Sequence, residues 1–504
     1  MTGIPLNPEA SSEERDGQFG RVGHRIALSV LSGGGNTLIL AGLGAVAIRL
    51  ITVRLGPTNY GLFVIALTFV GSVMLLTDLG ITSITGRDIA RSPKDAADVL
   101  GQNLGLRLVL SSVLIPILIF VGVALYKAPS LRWSIALIAL SLPFNALLTI
   151  SLSYYVSSIR NYVAAGITLL QQVIFVAGVV ISLTNGFGII GCSMSCLIST
   201  AASGLIAFFV VRRELLFKPL FNLRRWRQIL ILSASLGAIQ IINLLYLKAD
   251  TLLLSKMASA RAVGLYGVAY NFTSFILVVP TLIATSVMPL LATSSGDRFA
   301  LLLRRMEQSL AVLGVVAVMT TVLFAPQAIT ILSGRHFLGA APSLRLLALS
   351  CFFSYLCTAL GYAAVACNRH HRMIFVSAVG LVLNVGLNLL LIPRFGINGA
   401  ATATLISEFV ALLGVRFIFG RDVGADLSLS KISVRPVVVG IGVTLFARYV
   451  LLGSWHASIV TVAWAPAIVI IFLGLLALTG GLSEEVSFAR RKLSDLRGPR
   501  ISRS

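Results

Sequence analysis

Seven of the charged residues inside otherwise apolar stretches are candidates for chemistry. Arg49, Arg54, Arg107 and Lys248 are cationic, and Asp78, Asp250 and Glu408 are acidic. A charge at mid-bilayer costs roughly 2.5–3.5 kcal/mol on insertion scales, so those that stay there face a cavity or a partner. Cations so placed can hold phosphate, and carboxylates withdrawn from water can exchange a proton or hold a cation.

Spacing sorts these residues further. Arg54 lies eighteen residues, five helical turns, from Asn36 and shares its face, whereas Arg49 falls on roughly the opposite side. Ser233, Gln240, Asn243 and Asp250 make a polar stripe along one helix, and Lys248 points away from it. Such a stripe can line a cavity or hydrogen-bond to a neighbouring helix. Asp78 ends an apolar run, with Arg87 and Asp88 close behind it, and its plainer role is an ion pair or cap. Arg107 can partner an acid, contact phosphate or anchor at the interface. Asn384 and Asn388, four apart, share a face where interhelical hydrogen bonding is the default. The cavity candidates are thus Arg49, Arg54, Arg107, Gln240, Asn243 and Lys248. The coupling or gating candidates are Asp78, Asp250 and Glu408, with H+ or Na+ as the coupling ion.

The elements that must position them follow from composition. Hydrophobic residues make up 57% of the 504, and only 12% are charged. The apolar runs are about 20 residues long, the length that crosses the hydrocarbon core as a helix. The chain reads as an all-α polytopic membrane protein with about fourteen transmembrane helices. The net charge of +22 would suggest nucleic acid in a soluble protein. Here most of the Lys and Arg fall on alternate loops and on the tails, which the positive-inside rule explains, so no nucleic-acid partner is expected. Both termini are then cytoplasmic, and the basic tail also touches anionic lipid. The first 26 residues hold no apolar core before a small-residue cleavage site, so no removable signal peptide is expected. The five cysteines form no CxxC pair, which argues against metal and disulfide frameworks.

An internal echo organises the spans. Phe187–Gly191, followed by Leu197–Ser199, matches Phe395–Gly399, followed by Leu405–Ser407, at an offset of 208 residues. Tyr60-Gly61 and Tyr266-Gly267 repeat at 206. Six spans fit within that offset, so the halves are two parallel six-helix repeats related by an axis along the membrane normal. The expected order is a cytoplasmic tail at 1–26, an N-lobe at 27–214, a linker at 215–226, a C-lobe at 227–420, two extra helices within 421–482 and a basic tail at 483–504. Pro280 and Pro289 make the eighth span, 263–293, the one expected to bend.

Four motifs add a resemblance. Arg54–Phe63 (RLGPTNYGLF) with Thr77–Ile81 (TDLGI), and Ala249–Ser255 (ADTLLLS) with Val263–Ala269 (VGLYGVA), resemble the starts of the two lobes of polysaccharide-unit flippases. Asn384, Asn388, Ile392-Pro393 and Phe395–Ala403 (FGINGAATA) resemble spans 11–12 of the same proteins. These belong to the multidrug/oligosaccharidyl-lipid/polysaccharide exporter superfamily. The similarity runs in span order over nearly the whole chain, with spans 13–14 less distinctive. It implies translocation of a polyprenyl-pyrophosphate-linked oligosaccharide across a bacterial cytoplasmic membrane by alternating access. Its implied partners are that substrate, membrane lipids and polysaccharide polymerase or assembly proteins. A cation-coupled multidrug exporter of the same superfamily is the alternative, although the deep charges lean basic and so favour an anionic cargo. No nucleotide-binding loop GxxxxGK[ST] occurs, so an ion gradient, the membrane potential or product consumption is the expected energy source. No outer loop is long enough to hold sugar acceptors, so neither an enzyme nor a cofactor is expected.

Overall fold

Inside hydrocarbon the backbone must bond to itself, and this chain does so as helix after helix. The computed structural model describes residues 12–158, 160–367, 369–423, 429–451 and 459–479, and no strand occurs among them. The helices are α1 (Ser12–Asp78), α2 (Ile81–Arg91), α3 (Ala96–Leu125), α4 (Pro129–Ala139), α5 (Leu142–Ser157), α6 (Asn161–Thr184) and α7 (Gly188–Glu214). There follow α8 (Leu223–Met257), α9 (Ala260–Ala292), α10 (Gly296–Ser333), α11 (Ala341–Ala366), α12 (His370–Val423), α13 (Leu429–Phe446) and α14 (Ala465–Leu478).

Among the described residues, ten segments are long and apolar enough to cross a membrane. Two of these, Gly35–Arg91 and Met373–Phe419, run to 57 and 47 residues, length enough for two crossings each. They turn at Gly56 (φ 69°), ahead of Pro57, and at Gly396 (φ 55°), where a side chain would be strained. With α8 and α13 the set is consistent with fourteen.

α4 and α5 are separate helices, and Pro143 sits in the first turn of α5, where its missing N–H costs nothing. The eighth span is one continuous helix through Pro280 and Pro289. A break occurs instead in α10 at Phe324 (φ −108°, ψ 19°), two residues before Pro326.

The chain divides into two compact units, one ending at Ser255 and the other beginning at Lys256. The helix expected to open the second repeat, α8, is thereby grouped with the first unit. It lies along α3: Arg225 meets Asp98 at 3.7 Å near one end, and Ser255 Oγ meets Tyr126 Oη at 3.1 Å near the other. In the first unit Leu100, Leu104, Ile150, Tyr155 and Val211 make a buried core. In the second, α11 is central, packing on α9, α10 and α12, with Leu356, Leu360, Leu303 and Phe419 buried around it. Lipid tails are as apolar as leucine, so it is close van der Waals fit that holds these helices together.

The segment between α7 and α8 shows how close that fit is. It crosses α3 as extended chain, with Leu220 N donating to Gly101 O at 2.9 Å. A Cβ at Gly101 would stand 2.5 Å from the Lys218 carbonyl oxygen, and one at Gly105 only 2.1 Å from that of Leu220. Gly105→Ala is therefore expected to destabilise the protein by about 1–3 kcal/mol through overpacking. Gly166→Ala in α6, where no atom lies within 4 Å, should instead stabilise by up to about 1 kcal/mol. Thermal midpoints in detergent compare the two, and equal shifts would remove the argument.

Candidate functional site

The first unit builds its site at a helix break. α1 ends at Asp78; Leu79 (φ 42°) and Gly80 (φ 80°) adopt left-handed backbone, and α2 restarts at Ile81. A left-handed leucine costs roughly 1–2 kcal/mol, so the surrounding structure must impose it. α8 leans on this turn, because a Cβ at Gly237 would lie 2.8 Å from the Leu79 carbonyl oxygen. The first N–H groups of α2 have no helical acceptor. Asp78 supplies one: the Thr82 N–H donates to its Oδ1 at 3.3 Å, and the Thr82 hydroxyl donates to the same oxygen.

Arg107 closes the arrangement from α3. Its side chain is 1% exposed and that of Asp78 13%, and Nη1 lies 3.1 Å from Asp78 Oδ1. The same nitrogen donates to Thr82 Oγ1 at 3.0 Å and to Thr149 Oγ1 on α5. One turn earlier on the same face, Asn103 Nδ2 donates to Thr85 Oγ1 at 2.6 Å. One guanidinium thus ties three helices at the break. A charge so enclosed is kept by its partner's countercharge, and in this conformation it is not presented to a cargo.

The second unit holds a pair that the sequence reading missed. Arg416 of α12 donates through Nη2 to Glu307 Oε1 of α10 at 2.8 Å, with side chains 9% and 0% exposed. Glu307 lies eleven residues, about 16 Å, into its helix. The apolar run that marks the ninth span starts near 305, whereas the helix begins nine residues earlier, at Gly296. That extension was legible in part, since Asp297 in the first turn suits a helix start.

The other expected residues are placed as follows. Arg49 and Arg54 are exposed along α1, and Asn36 donates to Thr168 of α6 at 3.3 Å. On α8, Asn243 is exposed, Gln240 and Lys248 are half-buried and Asp250 is buried. The stripe is therefore not uniform, since Ser233 and Asp250 are enclosed at its two ends. Glu408 accepts from Ser354 Oγ of α11 at 2.8 Å. Asn388 Nδ2 donates to Asn384 Oδ1 at 3.0 Å within their own helix. A cavity of about 660 Å³ in this unit is lined by side chains such as Val315, Met319, Phe352, Phe409 and Ile441. It suits hydrocarbon and offers nothing to a charged head.

The long, apolar, kinked helices of both units are those of a polytopic membrane protein. Residues 29–295 match the model of the family described as polysaccharide biosynthesis protein, and the chain belongs to that family. Residues 236–390 also match the MatE model. Among curated proteins, the probable flippase AglR of Haloferax volcanii is 28% identical over 180 residues, 33% of this chain and 37% of that protein. The match thus spans little more than a third of that relative's length. Among solved structures, the lipid II flippase MurJ in an inward closed conformation has a TM-score of 0.74 at 15% identity, covering 88% of this chain and 98% of that one. An outward-facing multidrug resistance MATE transporter of the MOP superfamily gives 0.60 at 16%, covering 79% and 95%. A MOP superfamily transporter from Pyrococcus furiosus gives 0.58 at 16%, covering 78% and 95%. The fold is that of the multidrug/oligosaccharidyl-lipid/polysaccharide exporter superfamily.

Proposed function

We propose that this protein is a flippase. Its cargo is a polyprenyl-pyrophosphate-linked oligosaccharide, carried from the inner to the outer leaflet of the cytoplasmic membrane by alternating access, for cell-surface polysaccharide synthesis. The observation that carries this reading is the polysaccharide biosynthesis match over more than half of the chain. The enclosure of Arg107 by Asp78 leaves the exposed Arg49 and Arg54 of α1 to meet the pyrophosphate, where a cation contributes both charge and hydrogen bonds. The N-lobe and C-lobe of this reading are the two sequence repeats, and H+ or Na+ is the coupling ion.

The test is the lipid-linked material in a strain lacking the gene. Lipid-linked units should accumulate on the inner leaflet, and the full chain should restore their export. Arg54→Ala should restore it on the order of tenfold more slowly, the loss expected for a charged hydrogen bond, and Arg54→Lys less slowly than that. Normal arrival of units at the outer leaflet without the gene would end the proposal.

The MatE match over residues 236–390 favours a second reading, a cation-coupled multidrug exporter. It predicts that the deletion strain becomes sensitive to cationic dyes while its lipid-linked pool stays unchanged.

A further inference from the structure

The stretch 212–227 carries six Lys and Arg and one acid, Glu214. Glu214 is held by Arg160 at 2.8 Å, and Arg225 meets Asp98 at 3.7 Å. On the same stretch Leu216, Phe221 and Leu223 are 84%, 69% and 79% exposed. Bare hydrocarbon interleaved with cations is the composition of chain lying at headgroup level, with its apolar side chains among acyl tails. The stretch is fixed in place: its backbone sits on Gly101 and Gly105, and Phe217 is buried against Phe208 at 5.3 Å between ring centroids.

Beside it opens a cavity of about 580 Å³, lined by Leu106 of α3 and by Trp226, Arg227, Leu230 and Ile231 of α8. The Trp226 side chain is 93% buried by its 7% exposure, and its Nε1–H has no acceptor among the described residues. A buried indole N–H normally has one. Arg227 is exposed at the same cavity. The first backbone amides of α8 are not part of this demand, because Asn222 Oδ1 accepts from the N–H groups of Arg224 and Arg225 at 3.1 and 3.2 Å. A neutral donor, a cation and leucine and isoleucine walls together complement a phosphate joined to an acyl chain. The volume is within the range of small-molecule sites and suits one headgroup with the start of its chain.

We propose that this cavity binds an anionic glycerophospholipid of the surrounding bilayer. The Trp226 Nε1–H and the Arg227 guanidinium meet its phosphate, and its acyl chain lies along Leu106, Leu230 and Ile231. This site is separate from the cargo reading and does not depend on it.

The test is native mass spectrometry of the full-length protein in detergent, titrated with dioleoyl phosphatidylglycerol, with dioleoyl phosphatidylcholine, or with polyprenyl pyrophosphate as competitor. Phosphatidylglycerol adducts should form at roughly tenfold lower concentration than phosphatidylcholine adducts, as charged hydrogen bonds allow. Trp226→Phe, which keeps a ring and loses the N–H, should weaken the adducts of both lipids by about threefold or more, Arg227→Gln should cut the preference by about threefold or more, and Lys127→Gln at the far end of α3 should do neither. Phosphatidylglycerol with brominated chains should also quench wild-type fluorescence more than that of Trp226→Phe, a readout that stands even where Arg227→Gln fails to fold. Equal binding of the two lipids, a preference that survives Arg227→Gln, or phosphatidylglycerol binding unweakened by Trp226→Phe, would overturn the proposal. Displacement by polyprenyl pyrophosphate that is lost in the same variants would overturn it too, by assigning the cavity to the cargo.

Discussion

Arg107→Met should lower the thermal midpoint of the purified protein far more than removal of a surface arginine. The substitution keeps an unbranched apolar stem and takes away the countercharge of Asp78, whose side chain is 13% exposed. Breaking a buried ion pair by removing one partner costs about 3–5 kcal/mol. The two Thr82 donors on Asp78 Oδ1 soften the loss, so the lower end, about 3 kcal/mol, is expected. Arg87→Met is the control: its pair with Asp88 has side chains 45% and 36% exposed, and such pairs contribute at most about 1 kcal/mol. Arg107→Lys should not rescue, because its ammonium ends one bond short of the position from which Nη1 alone meets Asp78, Thr82 and Thr149. In a double-mutant cycle with Asp78→Asn, a coupling of about 2 kcal/mol is expected. Matching midpoint losses for Arg107→Met and Arg87→Met would show that the enclosed pair contributes nothing special.

The same pair marks what was legible in the sequence. Helical class and the order of crossings follow from apolar run length, a constraint that the bilayer makes strict. The break at Gly56 falls in the short gap expected between the first two spans, 29–54 and 58–82, and that at Gly396 at the first residue of the twelfth, expected at 396–419, because Pro57 and the Phe395-Gly396 turn interrupt the apolar pattern there. Asp78 and Arg107 could each be marked as a residue in need of a partner. That they partner one another was not legible, since 29 positions separate them and the meeting depends on the reversal at Leu79-Gly80 and on α2 folding back. Periodicity also placed Ser233, Gln240, Asn243 and Asp250 on one side of α8. It could not say what faces that side, and α3 and the Leu79 turn cover part of it. Glu307 was missed for a simpler reason. Hydropathy windows end where charges begin, so a helix carrying Arg304, Arg305 and Glu307 near its start looked shorter than it is.

That second pair supports an asymmetric prediction. Arg416→Met should destabilise the protein by about 3–5 kcal/mol, because it strips the countercharge from a carboxylate with no exposed surface. Glu307 Oε2 already lacks a partner among the described residues, so nothing at hand compensates for the lost guanidinium. Glu307→Gln should cost less: Arg416 keeps a further interaction and 9% exposure, and the amide oxygen of Gln still accepts from Nη2. The double variant Glu307→Leu/Arg416→Met removes both charges from a helix interface packed by Leu303, Leu310 and Val415. Replacing a buried pair by apolar residues of similar volume is often neutral or stabilising, so the double variant should melt above Arg416→Met and near wild type. Three midpoints, measured with the transport assay on the same preparations, decide the matter. A double variant no more stable than Arg416→Met would mean that the residues act through packing rather than through each other. A stable double variant that no longer transports would place the pair in the working cycle, where a charge contact that adds little stability can still decide which conformation of the second unit is occupied.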